Sequence, residues 1–223
     1  MENVPQLLSA GNGQFKAEIE EALADFEITT GVLNAMEYGD PQSRSRAFII
    51  GSKIGRIDLP KPTHTADNYV TVEEAFEGLN NSLPNQLDYS KAKDSTVERM
   101  AYVPQGGNWR SLPEHLLTKG MIKGNTHSSI YRRLDLTKPS VTIVNPRKTN
   151  LTHPTENRTL SIRECARLFS IKDNFIFKGT LASMQQQICN MTPVNMVRAV
   201  ASQVKQAIIE HNSLIARNNF SLV

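Results

Sequence analysis

Gln42-Ser43-Arg44-Ser45-Arg46 sets two arginines at alternating positions just ahead of an apolar run. If that run is a strand, both guanidinium groups can point to one face. Such a pair is a functional candidate, with surface charge and ion pairing as the plain alternatives. Three other features stand out singly. Glu2 places a carboxylate beside the first residue. Asn190, between Cys189 and Met191, reads as a turn or cap residue. Trp109 and Tyr131 read as core or rim packing. Cys165 and Cys189 are the only cysteines, and neither lies in a CxxC or near a His at metal-ligand spacing. A disulfide framework and a structural zinc site are therefore excluded, and no metal site is expected.

The elements that must position these residues can be read in order. Gly11-Asn12-Gly13 is turn chemistry, after which Phe15, Ile19, Leu23 and Phe26 recur at roughly helical spacing. Ile28 to Ala35, with β-branched Ile28, Thr29, Thr30 and Val32, predicts a strand ended by the turn Tyr38-Gly39-Asp40-Pro41. Arg46 to Gly51 predicts a second, buried strand. Together these suggest part of an α/β layer over residues 1–52. Prolines at 60, 62, 84, 104, 113, 139, 146 and 154 mark residues 53–157 as a second, irregular domain. Within it Ser140 to Val144 predicts a small strand, and Val72 to Leu79 and Leu112 to Leu117 predict helices. Over residues 158–223 helical signals return. Ser161 followed by Glu164 is a capping box, and Ile162, Ala166 and Phe169 then line one face. Thr192-Pro193 starts a long helix whose stripe Val197, Val200, Val204 and Ile208 is expected to cover the layer of residues 1–52.

Composition narrows the class of protein. With 223 residues and 39% hydrophobic content the chain can bury a core, so disorder is not its default state. No window approaches the run of about 18 apolar residues that a membrane span needs. The Met1-Glu2-Asn3-Val4-Pro5 start lacks the regions of a signal peptide, which predicts a cytoplasmic protein. The net charge of +3 is unevenly spread: residues 101–150 carry eight basic and two acidic side chains, against one and six in residues 1–30. A basic second half fits a surface that meets phosphate, and fits equally a solvated face.

The order of the segments adds what no single one supplies. ENVPQLL at 2–8, VLNAMEYGDPQSRSRAFIIG at 32–51, RTLSIRECARLF at 158–169 and QQICNMTP at 186–193 occur in sequence. In that order they resemble the ENV, QxRxR, RxLTxREAARLQ and QxGNxVPP segments in the C-terminal half of DNA (cytosine-5) methyltransferases. GGNWRSLP at 106–113 and YRRLDLTKPSVTIV at 131–144 also look like segments of that family. The resemblance implies an α/β fold, a partial Rossmann-like methyltransferase domain over residues 1–52. A loop-rich target-recognition domain would span 53–157, and a hinge helix and C-terminal helix packing back on the catalytic domain would span 158–223.

It also implies roles. The reaction adds a cysteine thiolate to ring carbon 6 of a flipped-out cytosine, so that carbon 5 takes a methyl group from S-adenosyl-L-methionine. Glu2 matches the glutamate that hydrogen-bonds or protonates ring nitrogen 3. Arg44 and Arg46 match arginines facing the base, where a guanidinium stabilises charge on its carbonyl oxygen. Asn190 matches an asparagine that helps hold the cofactor. Arg163 and Glu164 match a segment that organises the recognition domain. Gln42, Arg132, Arg133, Arg147 and Lys148 are the expected contacts to double-stranded DNA. The 223 residues contain neither an FxGxG cofactor segment nor a Pro-Cys-Gln nucleophile segment, and Cys189 stands where the family pattern has glycine. The expectation is therefore a subunit or fragment of a restriction-modification methyltransferase, inactive alone, whose nucleophile and cofactor site come from a complementing chain. A non-catalytic DNA-binding module and a degenerate remnant are the alternatives.

Overall fold

β-Branched side chains favour extended backbone, and the run beginning at Ile28 forms a strand of a three-stranded sheet. The strands are β1 (Glu2–Asn3), β2 (Glu27–Asn34) and β3 (Ser45–Ser52), in the order β1-β3-β2 with both pairings antiparallel. Thr30 faces Ile49 and Leu33 faces Arg46, while on the other side of β3 Glu2 faces Phe48. Flanked on both sides, β3 buries Ala47, Phe48 and Ile49. The helices are α1 (Gln14–Ala22), α2 (Val72–Phe76), α3 (Asp94–Ala101), α4 (Lys119–Ile122), α5 (Pro146–Thr149), α6 (Ile162–Leu168), α7 (Leu181–Asn190) and α8 (Val194–Phe220). This computed structural model describes residues 1–220, and the architecture is mixed α/β. Among the described residues no helix is long and apolar enough to cross a membrane.

The chain forms two units. The first comprises residues 1–39, 44–67 and 195 onward; the second comprises 40–43 and 68–194. These limits differ from the divisions at 52 and 157 read from proline content and helical signals. In particular α6, expected as a hinge, belongs wholly to the second unit, because all but one of its residues are buried in that unit's core.

In the first unit Leu33, Ala35, Tyr38, Phe48 and Met196 form the core, with Leu59, Ala199 and Val200 against it. The β2–β3 connection leaves a short 3-10 turn at Gly39, whose φ is +82° and where an added Cβ would lie 2.8 Å from the His64 ring, so glycine is required there. The expected α8 stripe holds at Val200 and needs correcting at Val197 and Ile208. Met196, Ala199 and Val200 face the core, whereas Val197 and Ile208 are 40% and 45% exposed.

In the second unit one core gathers around Leu134, Ile143, Leu160, Leu168 and Ile188, and another around Met100, Trp109 and Tyr131. The capping box of α6 is present: Glu164 N–H donates to Ser161 Oγ and Ser161 N–H to Glu164 Oε2. Ser140 to Val144 is not a strand but an extended segment laid beside residues 41–43. Ser140 N donates to Pro41 O, Ser43 N to Ser140 O, and Ile143 N to the Gln42 side chain. Leu112 to Leu117 holds one short 3-10 turn, Glu114–Leu116, in place of a helix, and a second, Trp109–Ser111, precedes it.

Candidate functional site

Antiparallel register brings the first two candidates of the first unit together. Since Glu2 lies opposite Phe48, Arg46 is its diagonal neighbour on the same face of the sheet. Arg46 Nε stands 2.9 Å from Glu2 Oε1, with the guanidinium side chain 13% and the carboxylate side chain 31% exposed. Arg46 Nη1 donates to Ser45 O at 2.7 Å. The ion pair is close but not aligned as a hydrogen bond, and Glu2 Oε1 is shut from solvent without an aligned donor. Burial pushes the Arg46 guanidinium below its ordinary value, with Glu2 opposing, and an arginine so placed is still a cation at neutral pH. The pair thus presents a fixed charge beside a buried acceptor. Arg44 is 4% exposed and closes the hairpin: its N–H donates to Asn34 Oδ1, and its carbonyl accepts from Ala35 N, both at 3.0 Å.

The remaining candidates belong to the second unit, and two of them require correction. Gln42 is fully buried; its Nε2 donates to Leu168 O and its Oε1 accepts from Ile143 N, both at 3.0 Å. Its amide ties the C-terminal end of α6 to the extended segment at Ile143, in the interior of the unit. Arg133, 5% exposed, donates to Val103 O, His153 O, Glu156 O, Met100 O and Asn157 Oδ1 at 2.6–2.9 Å. Burial pushes its guanidinium down, and its donors satisfy loop carbonyls that no regular element would otherwise pair. Both are interior braces. Arg132, half-buried, lines an open cleft of about 430 Å³ with His127, Ser129 and Thr142. Arg147 and Lys148 are exposed on α5, where the Asn145 side chain accepts from both backbone N–H groups. Asn190 is exposed at the end of α7, its Oδ1 accepting from Gln186 Nε2 at 2.9 Å.

Arg163 and Glu164 brace the second unit. Arg163, with no exposed surface, donates to Pro84 O, Lys172 O and Phe175 O. Glu164 accepts from Arg158 at 2.7 and 2.9 Å and from Gln86 Nε2 at 2.9 Å. Burial alone would lower Arg158, but Glu164 and Glu156 more than offset it, and the guanidinium is held above its ordinary value. His153 lies against this network, 3.8 Å from Glu164, and burial pushes its imidazole down. The capping box pointed to Glu164; nothing in the sequence singled out Gln86 or His153. Cys165 is wholly buried, which pushes its thiol well up, so it is no nucleophile.

The sequence and the fold have known counterparts. The chain is 36% identical over 213 residues to the type II methyltransferase M1.HphI of Haemophilus parahaemolyticus, covering 92% of this chain and 55% of that protein. It is 34% identical over 221 residues to M.NgoFVII of Neisseria gonorrhoeae, covering 91% and 57% respectively. It therefore spans little more than half the length of these relatives. Among solved structures, a prophage-encoded E. coli protein described as a DNA modification methyltransferase shares the fold, with a TM-score of 0.70 at 19% identity, over 93% of this chain and 68% of that one. The family model for the C-5 cytosine-specific DNA methylase matches residues 1–206, nearly the whole sequence, and the chain belongs to that family.

Proposed function

We propose that this chain supplies the base-facing acid, the guanidinium groups and the DNA-reading unit of a DNA (cytosine-5) methyltransferase that modifies a specific duplex sequence. The observation that carries the reading is the Glu2–Arg46 pair, held on adjacent strands with one carboxylate oxygen buried and lacking an aligned donor. A thiolate adding to carbon 6 drives negative charge onto the ring, and an acid at ring nitrogen 3 neutralises it. Glu2, carrying or sharing a proton with that nitrogen, fills the role. Arg46 holds the carboxylate in place through its backbone-anchored guanidinium, and Arg44, buried at the base of the hairpin, sets the entry of β3.

S-adenosyl-L-methionine, the family's methyl donor, supplies the electrophilic methyl group when bound. Asn190 offers that ligand one exposed side-chain amide and makes no site by itself. The remaining cofactor contacts, and the nucleophilic cysteine, come from polypeptide outside these 223 residues. Arg132, Arg147 and Lys148 contact the phosphates of the duplex and position it.

The test is methyl transfer to mixed-sequence duplex DNA, with this chain alone and with a polypeptide carrying the FxGxG and Pro-Cys-Gln segments of a relative. Activity confined to the mixture supports the reading. Salt-sensitive duplex binding without activity in the mixture would replace it with a non-catalytic DNA-binding module.

A further inference from the structure

One open cleft of the second unit is not among the features that the proposed methyl transfer uses. It measures about 870 Å³ and lies between α2, residues 79–89 and residues 153–158. Its floor holds Glu164 and the Gln86 amide, and Gln86 is only 8% exposed. Gln86 Nε2 is given to Glu164, whereas Gln86 Oε1 is buried with no donor. A buried acceptor left unpaired is costly, and a ligand N–H that reached it would recover the loss. On the rim stand Glu73 and Glu77, exposed and four residues apart, with no ion-pair partner among the described residues. Glu73 lies in the first turn of α2 and Glu77 just past its last residue, so both leave negative charge on the rim that a bound cation would neutralise. Phe76, Leu79, Leu87 and Leu136 supply apolar wall between rim and floor.

We propose that this cleft binds an alkylammonium or guanidinium group on an apolar stem, the chemistry shared by a free polyamine and by a lysine or arginine side chain of a partner. The cation pairs with Glu73 and Glu77, the methylenes lie along the apolar wall, and an N–H reaches Gln86 Oε1. Anions are disfavoured by the rim carboxylates, which separates this surface from the DNA-contacting residues. The inference stands apart from methyl transfer and holds whether or not the chain forms an active enzyme.

Calorimetric titration of the purified chain with 1,6-diaminohexane tests it, with 1,6-hexanediol as the uncharged probe of equal length. The diamine should bind, the diol should not, and added salt should weaken the diamine. The double variant Glu73→Gln/Glu77→Gln, confined to exposed positions, should weaken the diamine by roughly fivefold. The pair Glu18→Gln/Glu21→Gln on α1 makes the same change in net charge and should leave binding as it was. Gln86→Met should weaken it further. Trilysine against its side-chain-acetylated form provides the peptide arm, and the tighter of diamine and trilysine identifies the source. Equal losses in the cleft and α1 variants, or binding of diol and diamine alike, would overturn the proposal. Should Gln86→Met fail to fold, the rim variant decides alone.

Discussion

Glu2 and Arg46 acquire meaning only through the register that joins residues 44 positions apart along the chain. Replacing Glu2 by glutamine keeps the shape and removes the exchangeable proton. In the reconstituted system Glu2→Gln should lower the transfer rate by about 10²- to 10⁴-fold while duplex binding persists, as read by single-turnover methylation beside a binding isotherm. Arg133 and Arg147 make the opposite contrast. Arg133→Leu strands several buried carbonyls and should cost at least about 3 kcal/mol in urea unfolding. Arg147→Ala should leave stability within about 0.5 kcal/mol and reduce the salt dependence of duplex binding by about one unit of slope. Sequence could not separate these arginines, since a guanidinium in a loop looks alike whether it meets phosphate or carbonyls. Only the fold counts the unpaired carbonyls around it. His153 adds a pH dependence. Burial holds it below its unfolded value of about 6.5, so the folded state binds fewer protons, and the stabilisation present above that pH is lost as pH falls through the lower folded value. Glu156 is lowered chiefly by its hydrogen bond from Arg158, and Asp173 by that from Arg167, so both extend the loss to lower pH. Thermal midpoints should therefore drop between pH 7.5 and 5.5, and His153→Gln should flatten that first segment.

At the scale of elements, the sheet strands β2 and β3, the turn before α1 and the capped start of α6 were all legible, because each rests on local chemistry. The errors arose where a partner decides. Ser140 to Val144 has strand-like composition, yet its hydrogen bonds go to Pro41, Gln42 and Ser43, a short extended stretch whose side chain at Gln42 takes the place of a second strand's backbone. In α8 the three-to-four pattern Val197, Val200, Val204 and Ile208 suggested one face; Val200 does pack on the core, but beside Met196 and Ala199, while Val197 and Ile208 are exposed. Met196, with no exposed surface, should cost about 2–5 kcal/mol when changed to alanine, whereas Val197→Ala should cost far less. Paired denaturation curves for the two variants check which face carries the load.

Over the whole molecule, apolar side chains remain open on the first unit: Val32 on β2, and Ile208, Ile209, Leu214 and Ile215 on α8, are each at least 45% exposed. The described sheet is also incomplete at its margins, since β1 pairs only two residues of β3. Such surfaces associate. Sedimentation velocity should show the chain alone as self-associated, and as a dispersed complex once a polypeptide carrying the FxGxG and Pro-Cys-Gln segments of a relative is added; a monodisperse monomer would count against that expectation. The division of the chain into units carries a last consequence, for the order in which the protein is made. The second unit is nearly continuous, residues 68–194, while the first takes its final core residue from Met196. A ribosome releasing the chain from its N-terminus completes the second unit before the first unit can close. While residues 68–194 are being made, β2 and β3 lack the helix that completes their core, so a chain halted before Met196 should expose the apolar face that Leu33 and Phe48 otherwise bury.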